Sequence, residues 1–405
     1  MLQLCYKMVE IRRHRSGRLN RAPQQVHVGD PDATHFQHGE SWHFVNTQEM
    51  NPKDPGTAND PGITRAAGTA DPARFLFRFL HPRIHMGTAS DRYSGWVGQI
   101  YSELRYQGRM VKRSKKIGGR SLEEVVLPVD SVREYFDHFE ILELDYTFYS
   151  LLLDAAGQPT RTFQVLKAYS GFFSTDDHVL LKVPQVIFAQ KLRRGAEFVS
   201  NPAYLDTDVF VRSFYEPAMS LLGHHLRGFI FEQEYRRKDE RGTPELLARD
   251  LDRFFSKIPK DDRYHVELRT EHYLARPVFD VLSAHGVGQV LSHWTWLPPL
   301  KDQFQRAGRA FFNSGRHAVV RLMTPIGTRY ETAYTLAYPF DRIIDGMIQP
   351  SMIDDTEAIA REGVRQQTNV NIIVNNRAGG NAPLIAQRIA ERLLAGQAED
   401  PTPGS

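Results

Sequence analysis

The chain has 405 residues, with 51 Lys and Arg against 48 Asp and Glu, and a single cysteine. The near balance excludes overall charge as the force that would hold the protein on nucleic acid or a membrane surface. One cysteine excludes an internal disulfide framework and favours a reducing compartment. No apolar run approaches the roughly 20 residues that cross a bilayer, and no apolar segment follows the basic N-terminus as in a signal peptide. We therefore expect a cytoplasmic protein without a membrane partner.

Residues 1–80 are predicted to form a polar N-terminal extension that is disordered or irregular. Six Lys and Arg are balanced only by Glu10 within the first 21 residues, and the stretch 24–71 is rich in Gly, Pro, Asp, Asn and Thr. Such a segment buries too little apolar surface to offset the entropy lost on ordering. A solvated extension is the favoured interpretation, and a polyanion-binding arm is the alternative. Residues 396–405 are predicted to be a flexible tail.

From Arg83 onward, short apolar strands alternate with longer helical patterns. Helix starts carry Pro or a capping residue, as at Thr243 and Pro244, and helix ends are followed by Gly or Pro, as at Gly223 and Pro259. The predicted helices span 129–138, 159–171, 204–222, 244–257, 277–284, 299–308, 341–366 and 381–395. The predicted strands span 84–90, 139–149, 178–188, 226–235, 264–270, 286–294, 317–323 and 369–376.

Eight strands that are each followed by a helix predict a single (β/α)8 TIM barrel of the α/β class over residues 83–395. An open doubly wound sheet would also alternate strands and helices. It usually stops at about six strands, however, and has a Gly-rich first turn that this chain lacks. The barrel is therefore the preferred architecture.

The barrel fold predicts where functional side chains lie, because catalytic groups of such barrels cluster at the carboxyl ends of several strands. Polar residues stand at those ends here, and two of them, Glu143 and Asp145, share one face of the second strand by its period of two. Strand four ends with three polar residues, Glu232, Gln233 and Glu234. We expect a polar pocket to be lined by Glu143, Asp145, Lys182, Gln233, Glu267, Arg269, Arg321, Asn375 and Asn376.

Two interpretations of these residues stay open. In the first, Glu143 and Glu267 form a carboxylate pair for general acid–base catalysis on a sugar or phosphate ester, while Lys182 and Arg321 stabilise negative charge. In the second, Glu143, Lys182, Glu267 and Arg269 form a buried ion network that only fills the barrel. The number of such residues favours the pocket, since each buried ion is costly unless it is paired.

A metal site has less support. Metal-dependent barrels use several His, Asp and Glu at the strand ends, whereas His293 is the one imidazole at these positions and the acids are interleaved with Lys and Arg. A lone histidine is more often a hydrogen-bonded filler. No metal ligand is assigned, and the sequence leaves any cofactor unspecified.

A basic segment at 105–120 separates the first strand from its helix. It holds seven Lys and Arg residues, and the aromatic residues Tyr93, Trp96 and Tyr101 are near it. Because a long loop after a barrel strand lies over the active face, the segment predicts contact with a phosphate-bearing or nucleic-acid ligand. A solvated loop is the alternative.

The C-terminal stretch 369–393 is predicted to close the barrel and to form part of the pocket wall. A pair of glycines ending at Gly380 permits a tight turn that points the N-terminus of the helix from Asn381 at the barrel mouth. A helix N-terminus attracts a phosphate or carboxylate. Barrel closure alone does not explain two consecutive asparagines at the rim, so we expect Asn375, Asn376 and Gly380 to face the ligand.

Several of these motifs, in the same order, resemble the YecE-like family, the domain of unknown function 72, whose members are TIM-barrel proteins. The resemblance covers roughly residues 83–395, and it implies site roles for Trp96 and Gln233. The matching motifs are Gly87-Thr88-Ala89-Ser90 with Ser94-Gly95-Trp96, Leu142-Glu143-Leu144-Asp145-Tyr146-Thr147-Phe148-Tyr149, Leu181-Lys182-Val183-Pro184, Glu232-Gln233, Glu267-Leu268-Arg269, Val320-Arg321-Leu322, and Asn375-Asn376 with Gly380, Ala382 and Pro383.

Three histidines of the family pattern are replaced in this chain, by Thr270, Met323 and Ala189. Two functions are therefore expected as alternatives. The first is a hydrolase or lyase that acts on a phosphorylated sugar or a nucleic-acid-like ligand, with Glu143 and Glu267 as acid and base. The second, the alternative, is a non-catalytic barrel that binds a small ligand or a polyanion and has lost the family histidines. Whether the chain is an enzyme, and its oligomeric state, stay open.

Overall fold

The structure, a computed structural model, describes residues 69–117, 120–194 and 197–396. Most of the predicted N-terminal extension and nearly all of the predicted tail lie outside the described residues. Eight parallel strands form a closed barrel, in which each strand pairs with its neighbours in chain order and the last pairs with the first. The barrel strands are β1 (Ile84–Ala89), β2 (Ile141–Leu144), β3 (His178–Lys182), β4 (Leu226–Glu232), β5 (Tyr264–Glu267), β6 (Gly288–His293), β7 (His317–Leu322) and β8 (Asn369–Val374).

The predicted (β/α)8 barrel is thus confirmed, and helices connect the strands along the chain. The helix Pro244–Phe255 illustrates how the sequence forms such an element: Thr243 caps its first turn, and Leu247, Leu251 and Phe254 recur along one buried face. The other α-helical segments are Glu103–Tyr106, Val132–His138, Arg161–Ser170, Gln185–Phe188, Thr207–Phe210 and Glu216–Leu222 joined by the π-helix Val211–Tyr215, Arg276–His285, Leu300–Arg306, Tyr330–Ala337, Pro350–Arg365 and Ala382–Ala395. Short 3-10 helices span Pro72–Arg74, Ser94–Trp96, Val129–Ser131, Asp145–Tyr149, Gly223–His225, Glu271–Tyr273 and Asn376–Ala378.

The predicted helix 341–366 was wrong in its first part. The chain instead forms the helix Tyr330–Ala337, a connecting segment, and the helix Pro350–Arg365. Pro350 starts the second helix because its missing amide hydrogen is not needed at that position. Within the connecting segment Gly346 has a φ of 73°, which interrupts a right-handed helix.

The end of the second strand and two hairpins also differ from the prediction. The second strand stops at Leu144, where a 3-10 helix begins. Part of the basic segment predicted as a loop is an antiparallel hairpin, in which Val111–Ile117 pairs with Arg120–Val126. A second hairpin, Lys191–Arg194 with Glu197–Ser200, follows the third strand. Both hairpins extend from the carboxyl ends of barrel strands.

The strand register determines which side chains enter the barrel. Glu232 is paired with Glu267, and Arg321 is paired with Ser292, so the members of each pair point to the same side of the sheet. Arg321 also reaches Glu143 on the far side of the barrel. The charged side chains at the carboxyl ends of β2, β4, β5 and β7 therefore converge inside the barrel.

Glycine makes room for a histidine in the amino-terminal half of the barrel. His265 is completely buried and is paired with Ile230 on one side and Gly288 on the other. A Cβ atom added at Gly288 would lie 2.4 Å from Cδ2 of His265, closer than real side chains approach. The imidazole Nδ1 lies 3.0 Å from the carbonyl oxygen of Arg263.

Among the described residues, no helix is long and apolar enough to span a membrane.

Candidate functional site

Arg321 is the centre of a buried ion network inside the barrel. Its Nε and Nη2 donate to the two carboxylate oxygens of Glu143 at 2.7 and 2.6 Å. Its Nη1 donates to Glu267 and, at 3.2 Å, to Glu232. Because a guanidinium presents its donors in a rigid planar fork, one arginine can join carboxylates from three strands. Arg321, Glu143 and Glu267 are completely buried.

A second layer of the network lies nearer the barrel mouth and is built around Glu232. Three cations approach the same oxygen of this residue, Oε2: Nζ of Lys182 at 2.6 Å, Nη2 of Arg269 at 2.7 Å and Nη1 of Arg321 at 3.2 Å. Arg269 also contacts Glu267, with Nε 3.0 Å from Oε1. Glu232 is 12 % exposed, so this layer is closer to solvent than the Arg321–Glu143 pair.

The network is neutral in total, with Glu143, Glu232 and Glu267 opposite Lys182, Arg269 and Arg321. Burial raises the pKa of Glu143, and its bonds to Arg321 offset part of this rise. Burial would also raise the pKa of Glu232, but Arg269, Lys182 and Arg321 together hold it well below its ordinary value. Burial opposes the charge of Arg321, yet its carboxylate partners raise its pKa. Glu232 is therefore held as a carboxylate.

Aromatic rings flank the two cations of the outer layer. Nζ of Lys182 lies 4.2 Å from the ring centre of Phe148, and the guanidinium of Arg269 lies 4.5 Å from that of Trp294. Contacts of this kind favour a cation over the face of a ring, more strongly where water is excluded. They fix both cations at the mouth beside Glu232.

Asp145 is placed apart from this network. It belongs to a 3-10 helix beyond the second strand, and its Oδ1 accepts a hydrogen bond from the Ser90 hydroxyl at 2.7 Å. Ser90 has a φ of 67°, an unusual conformation for a residue with a side chain. The period of two that places Glu143 and Asp145 on one face ends with the strand at Leu144. A role for Asp145 in ligand binding stays a prediction.

Gln233 and His293 are held by backbone groups near the network. The Gln233 side-chain oxygen accepts from the Arg269 amide at 3.4 Å. Nδ1 of His293 lies 2.9 Å from the carbonyl oxygen of Thr324, while its Nε2 is buried without a hydrogen-bond partner. Burial lowers the pKa of His293 to about 4, so the ring is neutral near pH 7. Such a ring fits the hydrogen-bonded filler expected of a lone histidine.

The closing segment forms a separate, buried cluster. Oδ1 of Asn376 accepts hydrogen bonds from Nε1 of Trp96 at 3.0 Å and from the Ala382 amide at 2.7 Å. Trp96 is completely buried and Asn376 nearly so. Oδ1 of Asn375 accepts from the Arg377 amide at 3.0 Å. Asn376 thus joins the segment after β1 to the last helix, and its role in ligand binding stays a prediction.

The backbone conformation explains the glycine at position 380, and capping hydrogen bonds explain the start of the last helix. Gly380 has a φ of 111°, and a Cβ there would lie 2.3 Å from the Arg342 carbonyl oxygen, so only glycine fits. The Leu384 amide donates to the Asn381 side chain at 2.9 Å. Together with the bond from the Ala382 amide to Asn376, this cap uses the helix amides that were expected to face a phosphate.

Two basic side chains that the structure describes in the hairpin are paired within the protein. Lys112 lies 2.8 Å from Glu123 and Arg113 lies 2.7 Å from Glu124, both across the two strands. Just before the hairpin, Arg109 forms an ion pair with Asp130 at 2.9 Å. These pairs reduce the positive charge that the hairpin offers to a polyanion. Nucleic-acid binding through residues 105–120 stays a prediction.

The structure therefore brings together Glu143, Lys182, Glu267, Arg269 and Arg321, with Gln233 beside them. Sequence reasoning noted Glu232 at the end of the fourth strand but did not assign it to the site. Glu232 shares a face of its strand with Ile230, which is paired with His265, and only the strand register shows that this face points into the barrel. Phe148 and Trp294 were also missed as partners of the cations. Across the described ranges, no group of three or more His, Cys, Asp or Glu residues could hold a metal ion.

Comparison with known proteins identifies the family. The chain matches "Protein of unknown function DUF72" over residues 85–404. Its fold is similar to a DUF72 family protein from Enterococcus faecalis V583, with 13% identity over 77% of this chain and 95% of that one, at a TM-score of 0.47. It is also similar to a DUF72 family protein from Thermotoga maritima MSB8, with 13% identity over 77% and 99% and a TM-score of 0.45. None of the curated proteins compared with the chain matches it. The chain belongs to the DUF72 family of proteins of unknown function.

Proposed function

We propose that the protein binds a small anionic ligand, bearing a phosphate or a carboxylate, at the carboxyl end of the barrel. The observation that carries the proposal is the convergence of Lys182, Arg269 and Arg321 on one oxygen of Glu232, at 2.6, 2.7 and 3.2 Å. An anionic ligand oxygen would find the same donors there. Charge-assisted hydrogen bonds of this type are the strong ones in anion recognition.

Glu232 acts in this proposal as an internal counter-ion that competes with the ligand. It is the most exposed carboxylate of the network, at 12 %. Glu143 and Glu267, in contrast, are completely buried beneath it. Movement of the Glu232 side chain would release Lys182 and Arg269 toward the mouth without breaking the Arg321–Glu143 pair.

A hydrolase or lyase is the second candidate, and one observation favours it. Burial raises the pKa of Glu143, as a general acid near neutral pH requires. Against it, both oxygens of Glu143 accept hydrogen bonds from Arg321, and a catalytic acid must reach the substrate. Binding is therefore the function that the geometry supports better.

Titration calorimetry with inorganic phosphate and glycerol 3-phosphate tests the proposal. Lys182→Met is expected to weaken binding by about tenfold, since a charge-assisted hydrogen bond is lost. Glu232→Gln is expected to strengthen binding, because it removes the competing charge. Lys191→Met is the matched control, since Lys191 is about half exposed and pairs with Glu240 at 2.8 Å. Thermal unfolding checks that each variant is folded.

The test is decisive because the two site variants are expected to change the affinity in opposite directions. Weaker binding by Glu232→Gln, or equal binding by Lys182→Met and wild type, would contradict the proposal. Hydrolysis of a phosphate ester that is lost in Glu143→Gln and kept in Lys191→Met would favour the enzyme instead. Higher salt should weaken binding, although partly buried charges are screened less than exposed ones.

A further inference from the structure

We infer that the anion bound at the mouth is attached to a ring with a broad apolar face, which rests on an aromatic platform formed by Tyr235, Trp294 and Trp296. This inference rests on the proposed anion binding and names the class of ligand. A phosphorylated sugar and a nucleoside monophosphate are two sources of the same chemistry, an anion next to a ring face.

The platform begins at the anion-binding cations. The Arg269 guanidinium lies 4.5 Å from the ring centre of Trp294. The Trp294 ring centre is 6.1 Å from that of Tyr235, and Tyr235 is 5.4 Å from Trp296 with 32° between the ring planes. A series of three rings thus leads away from a cation that contacts Glu232.

Burial decreases along the platform in the direction away from the cations. Trp294 is 5 % exposed, whereas Tyr235 and Trp296 are half-buried. Large rings that remain partly exposed beside a cluster of cations offer a rigid apolar surface to a ligand.

The position of the platform in the barrel also fits a ligand site. Tyr235 follows β4, and Trp294 and Trp296 follow β6, so all three lie beyond carboxyl ends of strands, the end at which barrels bind their ligands. On the other side of the network, Phe148 lies 4.2 Å from Nζ of Lys182. A ligand whose anionic group meets Lys182 and Arg269 would extend its remaining part toward Trp296.

The test compares four phosphates by titration calorimetry on the full chain: inorganic phosphate, glycerol 3-phosphate, glucose 6-phosphate and uridine 5′-monophosphate. Stacking on aromatic side chains should make at least one ring-bearing phosphate bind about tenfold more tightly than glycerol 3-phosphate. Trp296→Ala should remove this difference and leave the affinity for glycerol 3-phosphate unchanged. Trp296→Phe should retain most of it. The ring-bearing phosphate with the larger gain in affinity over glycerol 3-phosphate shows whether the platform prefers a sugar or a nucleobase.

Phe79→Ala provides a matched control, because Phe79 is 44% exposed and precedes β1, at the opposite end of the barrel. It should leave all four affinities unchanged. Equal binding of glycerol 3-phosphate and both ring-bearing phosphates to the wild type would overturn the inference while leaving anion binding intact. A Trp296→Ala variant that weakened all phosphates equally would also overturn it. Failure of every phosphate to bind would instead overturn the proposed function, and the inference with it.

Discussion

Arg321 donates two hydrogen bonds to Glu143 across the interior of the barrel, at 2.7 Å from Nε and 2.6 Å from Nη2. The two residues are 178 positions apart in the sequence, and both are completely buried. A buried charge that loses its partner is far more costly than the intact pair is favourable. This pair therefore couples the candidate site to the stability of the barrel.

The first prediction concerns loss of the central cation. Arg321→Met should lower the free energy of unfolding by about 3–5 kcal/mol, because Glu143 and Glu267 are left buried without their common partner. Denaturant unfolding at pH 7 measures the change. Should this variant not fold, Glu143→Gln is expected to lose about 1–3 kcal/mol. In the control, Arg276→Met removes an exposed pair with Asp280 and should cost less than about 0.5 kcal/mol. Similar losses in the site and control variants would contradict the network's importance.

A second prediction separates the acceptor role of Asn376 from the rest of its side chain. Asn376→Ala removes the acceptor shared by Trp96 and the Ala382 amide, and should cost about 1–3 kcal/mol of unfolding free energy. Asn376→Asp keeps an acceptor oxygen at the helix N-terminus, and Nδ2 of Asn376 makes no hydrogen bond that would be lost. Chemical denaturation should therefore rank the Asp variant above the Ala variant. A loss of less than about 0.5 kcal/mol in Asn376→Ala would show that the shared acceptor is not what stabilises this cluster.

The third prediction tests the space around His265. Gly288→Ala should destabilise the protein by about 1–3 kcal/mol, because the new methyl group would lie 2.4 Å from Cδ2 of a buried ring. Gly171→Ala is the control: its φ is −69°, and the nearest atom to an added Cβ is 3.6 Å away. Thermal unfolding of the two variants should differ clearly. A Gly288→Ala protein as stable as Gly171→Ala would mean that the barrel interior relaxes around the methyl group.

The fourth prediction concerns pH and His293. Its folded-state pKa is lowered by burial to about 4, so below about pH 6.5 the unfolded chain binds a proton that the folded chain resists. The contribution of this residue to stability is therefore complete above pH 6.5 and is lost as the pH falls toward 4, by at most about 1.4 kcal/mol per pH unit. Unfolding free energies at pH 7.5 and 5.5 should fall less in His293→Gln than in the wild type. Equal falls would show that His293 does not titrate in this way.

Much of the fold could be predicted because it depends on local patterns. Short apolar segments and capped amphipathic helices recur from Arg83, and each predicted strand contains an observed one. The errors arose where local signals were weak. The periodicity of 341–366 did not separate the connecting segment from the helix that starts at Pro350. The hairpin strand Val111–Ile117 contains too many charged residues to be predicted as a strand.

The candidate site was predictable as a set of residue types but not as a set of contacts. Glu143, Lys182, Glu267, Arg269 and Arg321 were expected together because parallel strands end at one face of the barrel. The charges are paired, as in the ion-network interpretation, with Lys182 and Arg269 both bound to Glu232, and a ligand pocket at this end of the barrel stays a prediction. Without the register of β4, the sequence could not show whether Glu232 or Gln233 points into the barrel. A shift of the strand by one residue would move each side chain to the opposite face.

The sequence by itself determined the barrel, the order of its strands and the carboxyl-end location of its charged residues. It could do so because the local spacing of apolar residues along the chain distinguishes strands from helices. Only the tertiary structure decided which charges meet. Closure of the barrel brings Arg321 of β7 to Glu143 of β2, and it gathers three cations on one oxygen of Glu232. It also buries Trp96 against Asn376, far along the chain. Such pairings depend on distances through space that no local pattern encodes.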